Sequence, residues 1–184
     1  IANAAAAIKA VRAAGFSVSD EAIERGVLSA SWPARMQRLR QGALVSLAPK
    51  GSEIWLDGGH NPGAGAVIAE ALAERDEVAE KPLFMIAGML NTKDSTGYFK
   101  AFEGLVKHVY CVPVTESDAG LAPEKLALAA QEAGLSAEPV ASAANALALL
   151  RDNFDPDETP PRILIGGSLY LAGEVLRDNG TIPE

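Results

Sequence analysis

From residue 36 onward, short runs of consecutive apolar residues alternate with longer segments in which apolar positions recur every three or four residues. The first pattern marks strands buried on both faces, the second helices with one buried stripe. Strands are predicted at Met36–Leu39, Ala43–Leu47, Glu53–Asp57, Leu83–Ala87, His108–Val114, around Val140 and at Ile163–Ile165. Helices are predicted after Pro62, near Ser95–Leu105, and at Pro123–Ala133, Ala143–Arg151 and Tyr170–Leu176. Gly134 follows the third of these as its stop, Pro49–Ser52 reads as a turn, and the Pro- and acid-rich stretch Asp155–Pro161 as a loop. Alternating strands and helices predict a mostly parallel sheet covered on both faces, an α/β, Rossmann-like three-layer domain. Before it, alanine-rich Ala4–Ala14 reads as a helix stopped by Gly15, and Ser19-Asp20-Glu21 as the cap of a second helix ended by Gly26. Ser29–Pro33 reads as a linker, with Trp32 held extended by the following proline.

The segment Ile54–Gly65, IWLDGGHNPGAG, carries the densest chemistry. An apolar strand closes on Asp57, Gly58-Gly59 permit a tight turn, and Asn61-Pro62 offer an N-cap followed by a proline in the first helical position. Helix N-termini favour anions, and ligands of open α/β sheets bind beyond the carboxyl ends of the strands. The glycine spacing fits neither G-x-G-x-x-G nor G-x-x-x-x-G-K-[ST], so no self-contained dinucleotide site or P-loop is supported. A plain strand–turn–helix junction explains the glycines but leaves His60 without a reason.

Composition narrows the function classes. At 184 residues with 48% hydrophobic content, the chain can bury one substantial core. No apolar run is long enough for a membrane helix. A net charge of −8 argues against a nucleic-acid surface. The lone Cys111 sits within the apolar run Val109–Val112, where a core thiol is expected rather than a nucleophile.

Asp57-Gly58-Gly59-His60-Asn61-Pro62 resembles the D-G-A-H-N-P signature of the folylpolyglutamate synthase/dihydrofolate synthase family, one branch of the Mur-type ADP-forming amide ligases. Trp32–Gln37 resembles that family's W/L-P-G-R-[FLM]-Q, with Ala34 in place of glycine. Gly88–Asp94 resembles its G-M-L-x-x-K-D, and Leu164–Tyr170 its final strand and G-S-[FL]-[YH] turn. Family members are longer, and their P-loop, Mg²⁺ ligands and most of the folate site lie in an amino-terminal domain. The resemblance therefore implies that residues 1–31 end the central ATP-binding domain and that 32–184 form the carboxy-terminal ligase domain. The activity implied is ATP-dependent addition of L-glutamate to folates or dihydropteroate through an acyl phosphate, with ATP and Mg²⁺ as cofactors. This domain would close over the nucleotide, and the chain alone would be inactive.

The resemblance also assigns residues. Arg35 matches a phosphate-binding arginine, Asp57 a ribose-binding carboxylate and Asn3 an adenine-edge asparagine. His60 is expected beside the phosphates, and Asn61 either with the nucleotide or only as a helix cap. Lys93 and Ser168 are candidates for the incoming glutamate, His60 and Lys93 being the catalytic pair. No metal ligand falls in this chain. A cytoplasmic monomer acting on small molecules, with no nucleic-acid or membrane partner, is expected. Two alternatives stay open, a muramyl-peptide ligase domain and a non-catalytic Rossmann-like ligand-binding module.

Overall fold

The computed structural model describes residues 2–30 and 32–181. It divides into two compact units, residues 1–33 and 34–184. In the first, helix α1 (Ala2–Ala13) closes through Gly15 N–H to Arg12 C=O and Phe16 N–H to Val11 C=O, the paired bonds of a Schellman stop. Helix α2 (Asp20–Ser29) starts as expected at Ser19, whose hydroxyl accepts from Ala22 N–H at 3.2 Å. It does not end at Gly26: one glycine inside an exposed helix costs only about 1 kcal/mol, less than ending the ladder there. Ser31, in the expected linker, and Ile1 lie outside the described residues.

The second unit is one six-stranded sheet of β1 (Gln37–Leu39), β2 (Glu53–Leu56), β3 (Leu83–Ala87), β4 (Val106–Cys111), β5 (Ala137–Pro139) and β6 (Arg162–Gly166). The order across it is β1-β2-β6-β3-β4-β5, with β1 antiparallel and all other pairs parallel. Central β6 is buried at every residue. Its side chains alternate between faces, Leu164 to one core and Ile163 and Ile165 to the other. Helices α3 (Pro62–Val78), α4 (Ser95–Lys100) and α5 (Pro123–Glu132) bury Leu72, Phe99 and Leu126 on the Leu164 side. Helices α6 (Ala143–Asn153) and α7 (Leu169–Asp178) bury Leu147 and Val175 on the other, giving three layers.

Four local expectations are corrected. Val45–Leu47 is a 3-10 turn, not a strand, because Asn179 at the end of α7 takes over its backbone. The Asn179 side-chain oxygen accepts from Leu44 N–H at 3.0 Å and Val45 N–H at 3.3 Å. The helix from Ser95 ends at Lys100 and continues to Leu105 as turns. The strand expected at His108–Val114 pairs over Val106–Cys111, and Val140 lies one residue beyond β5 while still donating to Cys111 C=O. No described helix is long and apolar enough to cross a membrane.

Candidate active site

The crossover after β2 leads into α3 and that after β3 into α4, both on one face, whereas β6 leads into α7 on the other. Beyond their carboxyl ends the loops after β2 and β3 therefore part from the loop after β6, which sits between them. Such a divergence leaves a crevice where open α/β sheets hold ligands. The three loops touch. Gly88 N–H donates to Gly166 C=O at 3.1 Å. Gly167 has φ +97, and a Cβ there would meet the Met89 side chain at 2.8 Å and Gly88 C=O at 2.9 Å, so this turn admits only glycine without displacement.

Asp57 ends the apolar run of β2 and is buried, yet it is not a lone charge. One carboxylate oxygen accepts from Gly59 N–H at 2.7 Å, the other from Met36 N–H at 2.8 Å. A carboxylate has about four acceptor directions, so each oxygen retains one beyond these bonds. Half-buried His60 folds back, its Nδ1 lying 3.0 Å from Gly58 C=O. A carbonyl only accepts, so Nδ1 carries the hydrogen, and Nε2 of the neutral ring is left with a free lone pair. Asn61 caps α3, its side-chain oxygen accepting from Ala64 N–H at 2.9 Å, with Pro62 in the first turn.

Arg35 comes from the turn before β1. Its guanidinium donates to Ala34 C=O at 3.2 Å and lies 3.1 Å from where a Gly58 Cβ would stand, above the β2 loop. Among the described residues it forms no ion pair, so an exposed cation with free donors overlooks that loop. The residues on both sides are left-handed, Ala34 at φ +54 and Met36 at φ +43. For side chains with a Cβ this costs about 1–2 kcal/mol each. Three hydrogen bonds offset it: Gly58 N–H to Ala34 C=O at 2.9 Å, Ala34 N–H to the Gln37 side chain at 2.9 Å, and the Met36–Asp57 bond. A neutral bond contributes about 0.5–1.5 kcal/mol and one to a carboxylate about 1.5–3 kcal/mol, enough to hold the turn.

On the other side, half-buried Lys93 follows β3, its backbone N–H bonded to Leu90 C=O at 3.2 Å and its ammonium in no ion pair among the described residues. Buried Ser168 caps α7, its oxygen accepting from Tyr170 N–H at 3.1 Å while the O–H remains able to donate. A fourth loop, after β4, is joined to this region by Asn91 N–H to Ala119 C=O and Leu121 N–H to Met89 C=O, both 2.8 Å. Glu174 of α7 anchors it by accepting from Thr115 and Glu116 N–H at 2.7 and 2.8 Å. Under the crevice, Tyr98 is fully buried; that burial and the nearby Asp57 charge push its phenol well above the usual value, so it stays protonated.

Arg35, Asp57, His60, Asn61, Lys93 and Ser168 thus all stand on loops at one sheet edge. Asn3 is exposed on α1, in the first unit. Sequence reasoning passed over Gln37, Tyr98 and Glu174. Glu174 left a trace as an acid three residues after Leu171 on the apolar stripe of α7, and Gln37 as the last residue of the Trp32–Gln37 motif, to which no role was given. A cavity of about 490 Å³ lined by Lys50, Arg151, Phe154 and Pro160 lies at the opposite, amino-terminal edge, where the strands deliver no loops of this kind. No group of three or more His, Cys, Asp or Glu among the described residues is placed to hold a metal.

Residues 34–169 match the family described as "Mur ligase, glutamate ligase domain". The dihydrofolate synthase/folylpolyglutamate synthase of Escherichia coli (strain K12) is 36% identical over 126 residues, covering 67% of this chain and 26% of that protein. The solved E. coli FolC in complex with DHPP and ADP superposes with a TM-score of 0.72 at 26% identity, covering 95% of this chain and 38% of that one. The Yersinia pestis bifunctional folylpolyglutamate synthase/dihydrofolate synthase complexed with AMPPNP and Mn ion gives 0.74 at 26% identity, with 96% and 38% covered. The chain therefore spans between about a quarter and two-fifths of the length of these three proteins.

Proposed function

The chain belongs to the Mur ligase glutamate ligase domain family, and from that premise we propose that it is the carboxy-terminal part of an ATP-dependent ligase adding L-glutamate to folates or dihydropteroate. The observation that carries the reading is the guanidinium of Arg35, in no ion pair among the described residues, above the Asp57–Pro62 loop, with the Lys93 and Ser168 loops on the same edge. In this reaction class the terminal phosphoryl group of ATP passes to the acceptor's carboxylate and ADP leaves. The amino group of glutamate then attacks the acyl carbon, and phosphate and a proton leave.

This chain's residues suit charge neutralisation and positioning. Arg35 offers a planar fork of donors to phosphate oxygens. His60 supports them through its outward Nε2 edge, as a donor when protonated and an acceptor when neutral. Asp57 uses its remaining acceptor directions for ribose hydroxyls, and Asn61 keeps an amide NH₂ beyond its cap bond. Lys93 pairs with a glutamate carboxylate, to which Ser168 donates from the start of α7. Asn3 contributes an adenine-edge amide. A divalent ion, Mg²⁺ in this reading, would neutralise phosphate charge when bound, with its ligands expected from the ATP-binding portion. The ligase works as a cytoplasmic monomer on small molecules.

The test is glutamate incorporation and ADP release with ATP, folate and glutamate. The 184-residue chain is expected to be inactive alone and active when expressed with the ATP-binding portion encoded upstream of it. Ligation by the chain alone, or none by the longer protein, overturns the reading.

A further inference from the structure

Gln37 has no role in the reading above, although it bonds the strained turn that carries Arg35. Its side-chain oxygen accepts from Ala34 N–H at 2.9 Å, on one side of Arg35, while Asp57 accepts from Met36 N–H at 2.8 Å on the other. These two residues flanking Arg35 are the only left-handed non-glycine residues among those described. A turn with both ends outside the preferred backbone regions persists only when its surroundings over-determine it. Gln37 is able to do this because it opens β1 and is paired with Leu56 of β2, so its backbone is fixed by the sheet.

We infer that Gln37 is a positioning residue for Arg35: it locks the Ala34–Met36 turn so that the guanidinium stays above Gly58, aimed at the anion bound there. This rests on the proposed phosphate role of Arg35. Without the Gln37 acceptor the Ala34 N–H loses its partner, the turn relaxes toward right-handed or extended backbone, and Arg35 spreads over many orientations. A donor displaced by about 1 Å from a developing charge can cost on the order of 10²-fold in rate.

The test is a double-mutant cycle in the longer ligase, with kcat and the KM for ATP measured for the parent, Gln37→Ala, Arg35→Ala and the double variant. Gln37→Ala is expected to lower kcat about tenfold or more with little change in KM. In the Arg35→Ala background it should lower kcat no further, because its target is gone. Amide exchange on the 184-residue chain gives a readout apart from activity: Ala34 N–H should exchange faster in Gln37→Ala while β6 amides remain protected. If Arg35→Ala is without kinetic effect, the site assignment falls and the inference with it. If Arg35→Ala is slow but Gln37→Ala is normal, or Gln37→Ala slows both backgrounds equally, the positioning role alone falls. Unchanged protection at Ala34 also overturns it.

Discussion

Gly167→Ala combines two penalties that Gly104→Ala separates. Both glycines have positive φ, +97 and +75. At Gly104 a new Cβ meets nothing within 4 Å, whereas at Gly167 it meets the Met89 side chain at 2.8 Å and Gly88 C=O at 2.9 Å. The left-handed backbone costs about 1–2 kcal/mol for alanine. Reduced freedom of the unfolded chain returns about 0.4–1 kcal/mol. Gly104→Ala should therefore destabilise by about 0–1.6 kcal/mol. Met89 is fully buried and Gly88 is pinned to Gly166, so neither can retreat cheaply. Overpacking of this kind adds about 1–3 kcal/mol, which puts Gly167→Ala at about 1–4.6 kcal/mol. Urea denaturation of the 184-residue chain measures both, and a domain of this size loses about 2–4 °C in Tm per kcal/mol. Equal losses for the two variants would refute the claim that close approach, rather than backbone strain, demands glycine between the β3 and β6 loops.

Lys93→Ala in the longer ligase should raise the KM for glutamate about tenfold or more, the equivalent of about 1.5–3 kcal/mol for a bond to a charged group, and leave the KM for ATP unchanged; an effect confined to ATP would move Lys93 to the nucleotide. Burial raises the Glu53 carboxyl, but Arg162 and Arg38 at 3.3 Å and Lys81 at 3.8 Å outweigh it and hold it below its usual value. The unfolded chain then takes up the proton first, so this stability is present above about pH 4.5 and lost as pH falls through the lower folded value. Glu53→Gln should destabilise at pH 7 and progressively less as the pH falls below about 4.5, and a gap independent of pH would exclude the ion pairs as its origin. Burial pushes the Cys111 thiol up to about 12, so a disulfide reagent at pH 8 should label it only in denaturant; rapid labelling of the folded chain would contradict its buried place on β4.

The layers were legible because the strands' burial is written locally: Leu83–Ala87 and Ile163–Ile165 are unbroken apolar runs, and their faces follow from alternation alone. Asn61 as a helix cap was also readable, since a cap bonds its own neighbours. What escaped were bonds that jump the chain. Asn179 reshapes Leu44–Val45 from 134–135 residues away, and Glu174 holds Thr115–Glu116 from 58–59 residues away. Neither acceptor carries a local sign of its target. Gln37 escaped for the opposite reason: its partner is only three residues away, but the bond requires a left-handed Ala34, which propensity disfavours. The candidate site loops were individually visible; that their junction is a divergence of crossovers follows only from β6 lying between β2 and β3.

That same insertion governs how the sheet can assemble. β2 and β3 are neighbours in sequence but not in space, and the slot between them is filled by the last strand of the sheet to be synthesised. Until Arg162–Gly166 has emerged, β2 and β3 each present an unpaired edge beside apolar surface, the condition that invites mispairing between nascent chains. Growth from β3 to β4 and β5 can begin early, whereas docking of β2, and of β1 through it, must wait for β6. The polypeptide therefore emerges from the ribosome with the centre of its sheet missing, and a stop between residues 140 and 161 leaves two half-sheets with nothing to join them.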